Sequence, residues 1–117
     1  MTPEVLKART KKFALKVIEL VGTLPRGPAA QVIGKQLLEA GTSVGANYRA
    51  ACRAQSHQAF KAKLAIVEEE ADETLYWLEI LEESALVRAE RLGDLLKEAG
   101  ELVAIVTASR KTAKGEK

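Results

Sequence analysis

GTSVGANYRAACRAQS, residues 41–56, decides how many helices this chain contains. The pattern on either side is helical, yet Gly41 and Gly45 stand here with Thr42, Ser43 and Asn47 around them. A glycine inside a helix costs about 1 kcal/mol relative to alanine, so two of them need a reason. Spaced four apart they share one face, and Thr42, Ala46 and Ala50 continue a strip of small side chains beside them. One reading is that the strip lets another helix approach closely, with Asn47 hydrogen-bonding across the contact because a buried amide must find partners. The other is that Gly41 ends one helix and Thr42 or Ser43 N-caps the next. Either way the stretch is structural, and Gly41, Gly45 and Asn47 are assigned to helix packing or assembly.

Upstream, Val32, Ile33, Leu37, Leu38 and Val44 are the apolar positions of a helix over about 28–53, with Pro28 at its start, where a missing N–H costs nothing. The break TLPRGP (23–28) separates it from a first helix over about 4–22. The apolar side of that helix is Val5, Leu6, Phe13, Leu15, Val17, Ile18, Leu20 and Val21. Downstream, the register breaks near RAQSHQ and Ser56 caps a third helix over about 56–83. There Phe60, Leu64, Val67, Ala71, Leu75, Leu78 and Leu81 recur in heptad-like steps. Tyr76, Trp77 and Ile80 widen that stripe, which predicts cover on more than one side. Large aromatics beside such a stripe anchor core or subunit packing more often than they form a cofactor platform, so Tyr76 and Trp77 are read as packing or assembly residues. A link around ESALVRAE leads to a fourth helix over about 89–109, with Leu92, Leu95, Leu96, Leu102, Val103, Ile105 and Val106 inside. The tail, 110–117, has no apolar face and is expected to fray. The prediction is all-α: a single domain over 1–117, folded as an antiparallel up-and-down four-helix bundle.

The bulk numbers agree. A chain of 117 residues is the size of one domain, and 47% hydrophobic with only 4% aromatic residues means a core of Leu, Ile, Val and Ala. The net charge of +2 is small, but its distribution is uneven. Lys7, Arg9, Lys11, Lys12 and Lys16 crowd the N-terminus, residues 56–83 carry eight acids against Lys61 and Lys63, and the tail is basic again. Cys52 is the only cysteine, so no intramolecular disulfide forms and a reducing cytosol fits. No leader pattern or spanning apolar run is present, which predicts a cytoplasmic protein with no membrane contact.

Little in the sequence carries reaction chemistry. Di-iron bundles need two Glu-x-x-His pairs, but His57 is the only histidine and Ala54 stands three residues before it. The cluster EEEADE (68–73) points its carboxylates in different directions along a helix and is read as a solvated or pairing face. Cys52 and His57 are five apart across a helix end with no third group to orient the imidazole. No phosphate-loop or dinucleotide motif occurs. The expectation is a protein that is not an enzyme, with no metal, cofactor or catalytic residue.

Nucleic acid is the stronger candidate ligand. Arg49 and Arg53 are four apart on the second helix, and Lys7, Lys11 and the basic tail add positive potential. Repeated in an oligomer, such patches bind phosphates strongly from individually weak contacts. The competing use of Arg49 and Arg53 is pairing with Glu69 or Glu73 of a neighbouring subunit to set the register of an assembly.

The motif AGTSVGANYRAACRAQS (40–56), followed by FKAKLAIVEEEADETLYWLEIL (60–81), resembles the small bacterial four-helix-bundle family named for proteins encoded in 23S ribosomal RNA intervening sequences. The resemblance covers nearly the whole chain. It implies a ring-shaped homopentamer of bundles around a central channel, without enzymatic activity. One branch of the family is similar to the accessory protein of diversity-generating retroelements, which works with a reverse transcriptase and binds nucleic acid. Members of that branch are markedly basic, and the net charge of +2 sets this chain apart from them. The combined expectation is a self-assembling bundle that binds RNA or a ribonucleoprotein through Lys7, Lys11, Arg49 and Arg53. The alternative is a scaffold that binds only a protein partner.

Overall fold

The computed structural model describes residues 1–115. Four helices follow one another along the chain: α1 (Pro3–Gly22), α2 (Pro28–Cys52), α3 (His57–Glu83) and α4 (Ala89–Ala113). Each start has a local cause. The Thr2 hydroxyl accepts from the Val5 N–H at 3.2 Å, and Pro3 opens α1. Pro28 opens α2 after Gly27, whose φ of +136° is a conformation that a side chain would strain. The Ser56 hydroxyl caps α3 by accepting from the Ala59 N–H at 3.0 Å. Between α3 and α4, Ala85 takes φ of +60°, in the left-handed region where glycine usually stands, and Val87 is buried beneath the turn.

Short connections make consecutive helices antiparallel. Each packs on the helix before and after it, and α1 also meets α4 along a narrower seam, so α1 and α3 occupy diagonal corners. The bundle measures 45 × 24 × 20 Å. Its core is aliphatic, with Phe13 the one large aromatic side chain fully enclosed among the described residues; Val17, Leu37, Leu64, Leu78, Leu92 and Leu102 surround the axis. Thr10 and Thr74 are buried but satisfied, their hydroxyls donating to the carbonyls of Leu6 (2.9 Å) and Glu70 (2.7 Å).

The sequence expectations need correction at both ends of the chain. The apolar side assigned to the first helix is two sides: Leu6, Phe13, Val17 and Leu20 are buried, whereas Val5, Leu15 and Ile18 are exposed. On α2, Val32 is likewise exposed. Nor does the last helix fray at 110, because it continues to Ala113. Arg110 Nη1 donates to Glu68 Oε1 at 2.6 Å, and His57 Nε2 lies 2.8 Å from the Ala113 carbonyl. These two contacts tie the last turn to α3, whose distant residues a reading of the tail alone does not weigh. Residues 116–117 lie outside the described residues.

Candidate nucleic-acid interface

Helix α2 runs without a break through residues 41–47. Thr42 and Ser43 do not cap a new helix; their hydroxyls donate to the carbonyls of Leu38 (2.7 Å) and Glu39 (2.6 Å), one turn back. The glycines face α1 of the same chain. A β-carbon at Gly41 would lie 2.8 Å from Val17 Cγ1, and one at Gly45 would lie 3.3 Å from the Thr10 carbonyl carbon. The small strip is therefore used inside the bundle, letting α1 and α2 lie closer than side chains would allow. Asn47 does not bridge helices, since its Nδ2 donates to the Ser43 carbonyl of its own helix at 2.9 Å.

On the solvent side of that contact the helices leave a groove of about 470 Å³. Ala8, Ala14, Thr42, Gly45 and Ala46 form its floor, and Lys7, Lys11 and Arg49 stand around it. Small residues keep the floor low, so the three cations rise above it. Lys7 pairs with Glu4 at 3.7 Å, one turn earlier. Lys11 and Arg49 form no ion pair among the described residues. Three of the four residues singled out for nucleic-acid contact thus share one groove. Arg53, just beyond the end of α2, is exposed and does not line it.

The neighbouring base Arg9 is turned the other way. Its Nε and Nη2 grip Glu98 at 2.6 and 2.7 Å, and Nη2 also reaches Glu101 at 2.9 Å, joining α1 to α4. Hydrogen bonding to Glu98 holds the Arg9 guanidinium protonated even more firmly than usual, and the same bonds lower the Glu98 carboxyl. Lys12 and Lys16 line the cleft on this α4 flank with Asp94.

The acidic helix divides its charges. Glu68 serves Arg110, whereas Glu69, Asp72 and Glu73 are exposed. Burial, and then Glu73, Glu69 and Glu39, push the Glu70 carboxyl up. Arg49 and Arg53 pair with neither Glu69 nor Glu73 within the chain. Tyr76 is half exposed and meets Trp77 edge-on at 5.0 Å between ring centroids. Trp77 packs against the rim of the core, and its buried Nε1 has no partner among the described residues.

Cys52 and His57 line a second cleft with Tyr48, Glu4 and Lys7, at the end of the bundle. Burial, and then the Cys52 thiol, push the Tyr48 phenol well above its ordinary range, so it stays neutral. The His57 Nε2 is engaged with the Ala113 carbonyl, which it meets as a donor. Among the described residues no three His, Cys, Asp or Glu side chains gather as a metal-holding group, and no helix is long and apolar enough to cross a membrane.

The model of the 23S rRNA-intervening sequence proteins matches residues 5–108, which span all of α2 and α3 and most of α1 and α4. The chain belongs to that family. A crystal structure from Bacteroides thetaiotaomicron, of a protein of unknown function in the S23 ribosomal protein family, superposes with a TM-score of 0.86 at 34% identity. The match covers 95% of this chain and 99% of that one, so the four-helix arrangement is shared throughout. Comparison with curated proteins returns no match.

For this member of the family, the sequence pointed to the cations and, through the small-residue strip, to Ala46, but not to Ala8 and Ala14. Ala8 and Ala14 carry no chemical signal of their own. They line the groove because Gly41 and Gly45 bring α1 against α2.

Proposed function

We propose that this 23S rRNA-intervening sequence family member is a non-enzymatic, self-assembling cytoplasmic bundle that holds RNA, free or within a ribonucleoprotein, by its phosphates. The observation that carries the reading is the convergence of Lys7, Lys11 and Arg49 on one groove with an alanine and glycine floor. Such a floor admits a sugar-phosphate backbone while the cations contact phosphate oxygens. Among the described residues no aromatic side chain lines the groove, so bases find no stacking platform there and recognition is of the backbone. Repetition of the groove around a homopentamer, as the family resemblance implies, multiplies these contacts.

The test is binding of a structured RNA, followed by fluorescence anisotropy over a range of salt concentrations. Affinity is expected to fall steeply with salt. Replacing Lys7, Lys11 or Arg49 by alanine should flatten the logarithmic slope by about one for each phosphate no longer neutralised. Arg53→Ala, outside the groove, should change it less. Absence of binding at low salt overturns the RNA reading. A polypeptide that then co-purifies after nuclease treatment favours the second reading, a protein-binding scaffold, which the exposed Val5, Leu15 and Ile18 support.

A further inference from the structure

Two exposed stripes on this bundle match in spacing and oppose in charge. On α1, Val5, Ala8, Lys12 and Leu15 recur at steps of three, four and three, with Ile18 and Lys16 beside them. Val5 is 52% exposed, Leu15 60% and Ile18 48%, a large apolar share for one helix of a bundle. On α3, Ile66, Glu69, Glu73 and Tyr76 recur at the same steps, with Ile80 one turn on. Ile66 is 36% exposed and Tyr76 51%. Lys12 and Lys16 have no ion-pair partner among the described residues, and neither do Glu69, Glu70 and Glu73. Laid along each other in either direction, the stripes place Lys12 opposite a glutamate and apolar residues opposite one another at the ends. Burial first, and then the neighbouring carboxylates Glu73, Glu69 and Glu39, push the Glu70 carboxyl up, and an incoming lysine face would relieve the second of these, the repulsion.

We infer that the α1 stripe of one copy docks on the α3 stripe of the next, joining copies head to tail. The inference rests on the self-assembly part of the function proposed above and names the faces that perform it. Geometry dictates the head-to-tail sense. Because α1 and α3 sit at diagonal corners, their outer faces point away from each other and a single rigid neighbour cannot cover both. A two-fold pair would leave one stripe of each copy bare. A contact between unlike faces instead propagates until it closes as a ring. Ala8 belongs to both the stripe and the groove lining, so a docked copy borders the groove, while Lys7, Lys11 and Arg49 lie outside the stripe.

Two substitutions at exposed positions test this, with native mass spectrometry as the readout and circular dichroism to check folding. Leu15→Glu spoils the α1 face and Tyr76→Glu spoils the α3 face. Wild type should show a species of more than two copies, and each variant alone should collapse to one chain. An equal mixture of the variants should give one-to-one pairs and nothing larger, since one sound face of each kind remains and the two spoiled faces repel. Variants that keep the wild-type mass, a mixture that stays monomeric, or a wild type that stops at two copies would overturn the head-to-tail pairing. A monomeric wild type removes self-assembly itself, while assembly untouched by both variants removes only this choice of faces.

Discussion

Helix α1 meets α2 across Gly41 and Gly45, where missing β-carbons let Val17 and Thr10 settle against backbone, with Leu24 of the connecting turn doing the same at Gly34, whereas it meets α4 through Arg9, Glu98 and Glu101. The first seam is close and depends on shape, so it tolerates little change in volume. The second is narrower and polar, so charge, salt and pH act on it. This contrast explains why the candidate groove lies over the first seam. A floor of alanine and glycine is stable there because the helices touch beneath it, while on the α4 side Arg9 is already held by two carboxylates and Lys12 and Lys16 stand in a cleft beside Asp94 and Glu98.

The largest effect is expected at the close seam. Gly41→Val should destabilise the chain by about 3 kcal/mol in chemical denaturation, because the new side chain enters the space of Val17. Adding Val17→Ala should recover part of that loss; no recovery would mean that Gly41 matters for reasons other than this contact. Next comes the polar seam. Arg9→Ala should cost about 1 to 2 kcal/mol, since the bonds are charge-assisted but only partly shielded from water. Its difference from wild type should shrink in high salt. Because the Glu98 carboxyl is lowered in the fold, its contribution is complete above the ordinary glutamate value of about 4.3 and is lost as pH falls through the lower folded value. Melting curves of both proteins across that acidic window check the sign.

Gly100 sharpens the comparison from outside both seams. A β-carbon there meets nothing within 4 Å, so Gly100→Ala should stabilise by about 1 kcal/mol through helix propensity alone. If Gly41→Ala stabilised equally, the close-packing account of the first seam would fail. The smallest effect is expected from Glu70→Gln. The raised Glu70 carboxyl disfavours the fold at neutral pH, so the substitution should increase stability by a few tenths of a kcal/mol, roughly the size of an ordinary surface change. That gain should be complete above the folded value and vanish as pH falls through it.

Much of the architecture was legible without coordinates. Ser56, Pro28 and the TLPRGP break marked helix limits because capping and proline geometry act over a few residues. The spacing of Leu64, Val67, Ala71, Leu78 and Leu81 identified the inner face of α3, all five being buried. Periodicity failed on α1, where apolar residues occupy two faces and the pattern alone does not say which one meets the core. Lys7, Lys11, Arg49 and Arg53 were all visible as charges, but only the pairing of α1 with α2 separates Arg53 from the rest. Arg9 looked like one more N-terminal base, and a partner 89 residues away changes its role.

By itself, then, the sequence determined what depends on near neighbours: four helices, their approximate ends, a leucine-rich core and the family. The tertiary structure alone decided that Gly41 and Gly45 are used within the bundle, that Val5, Leu15 and Ile18 face outward, and that three cations share a groove. Those facts depend on which helix lies beside which and at what distance, and contacts between residues far apart in the chain leave no periodic trace in one sequence.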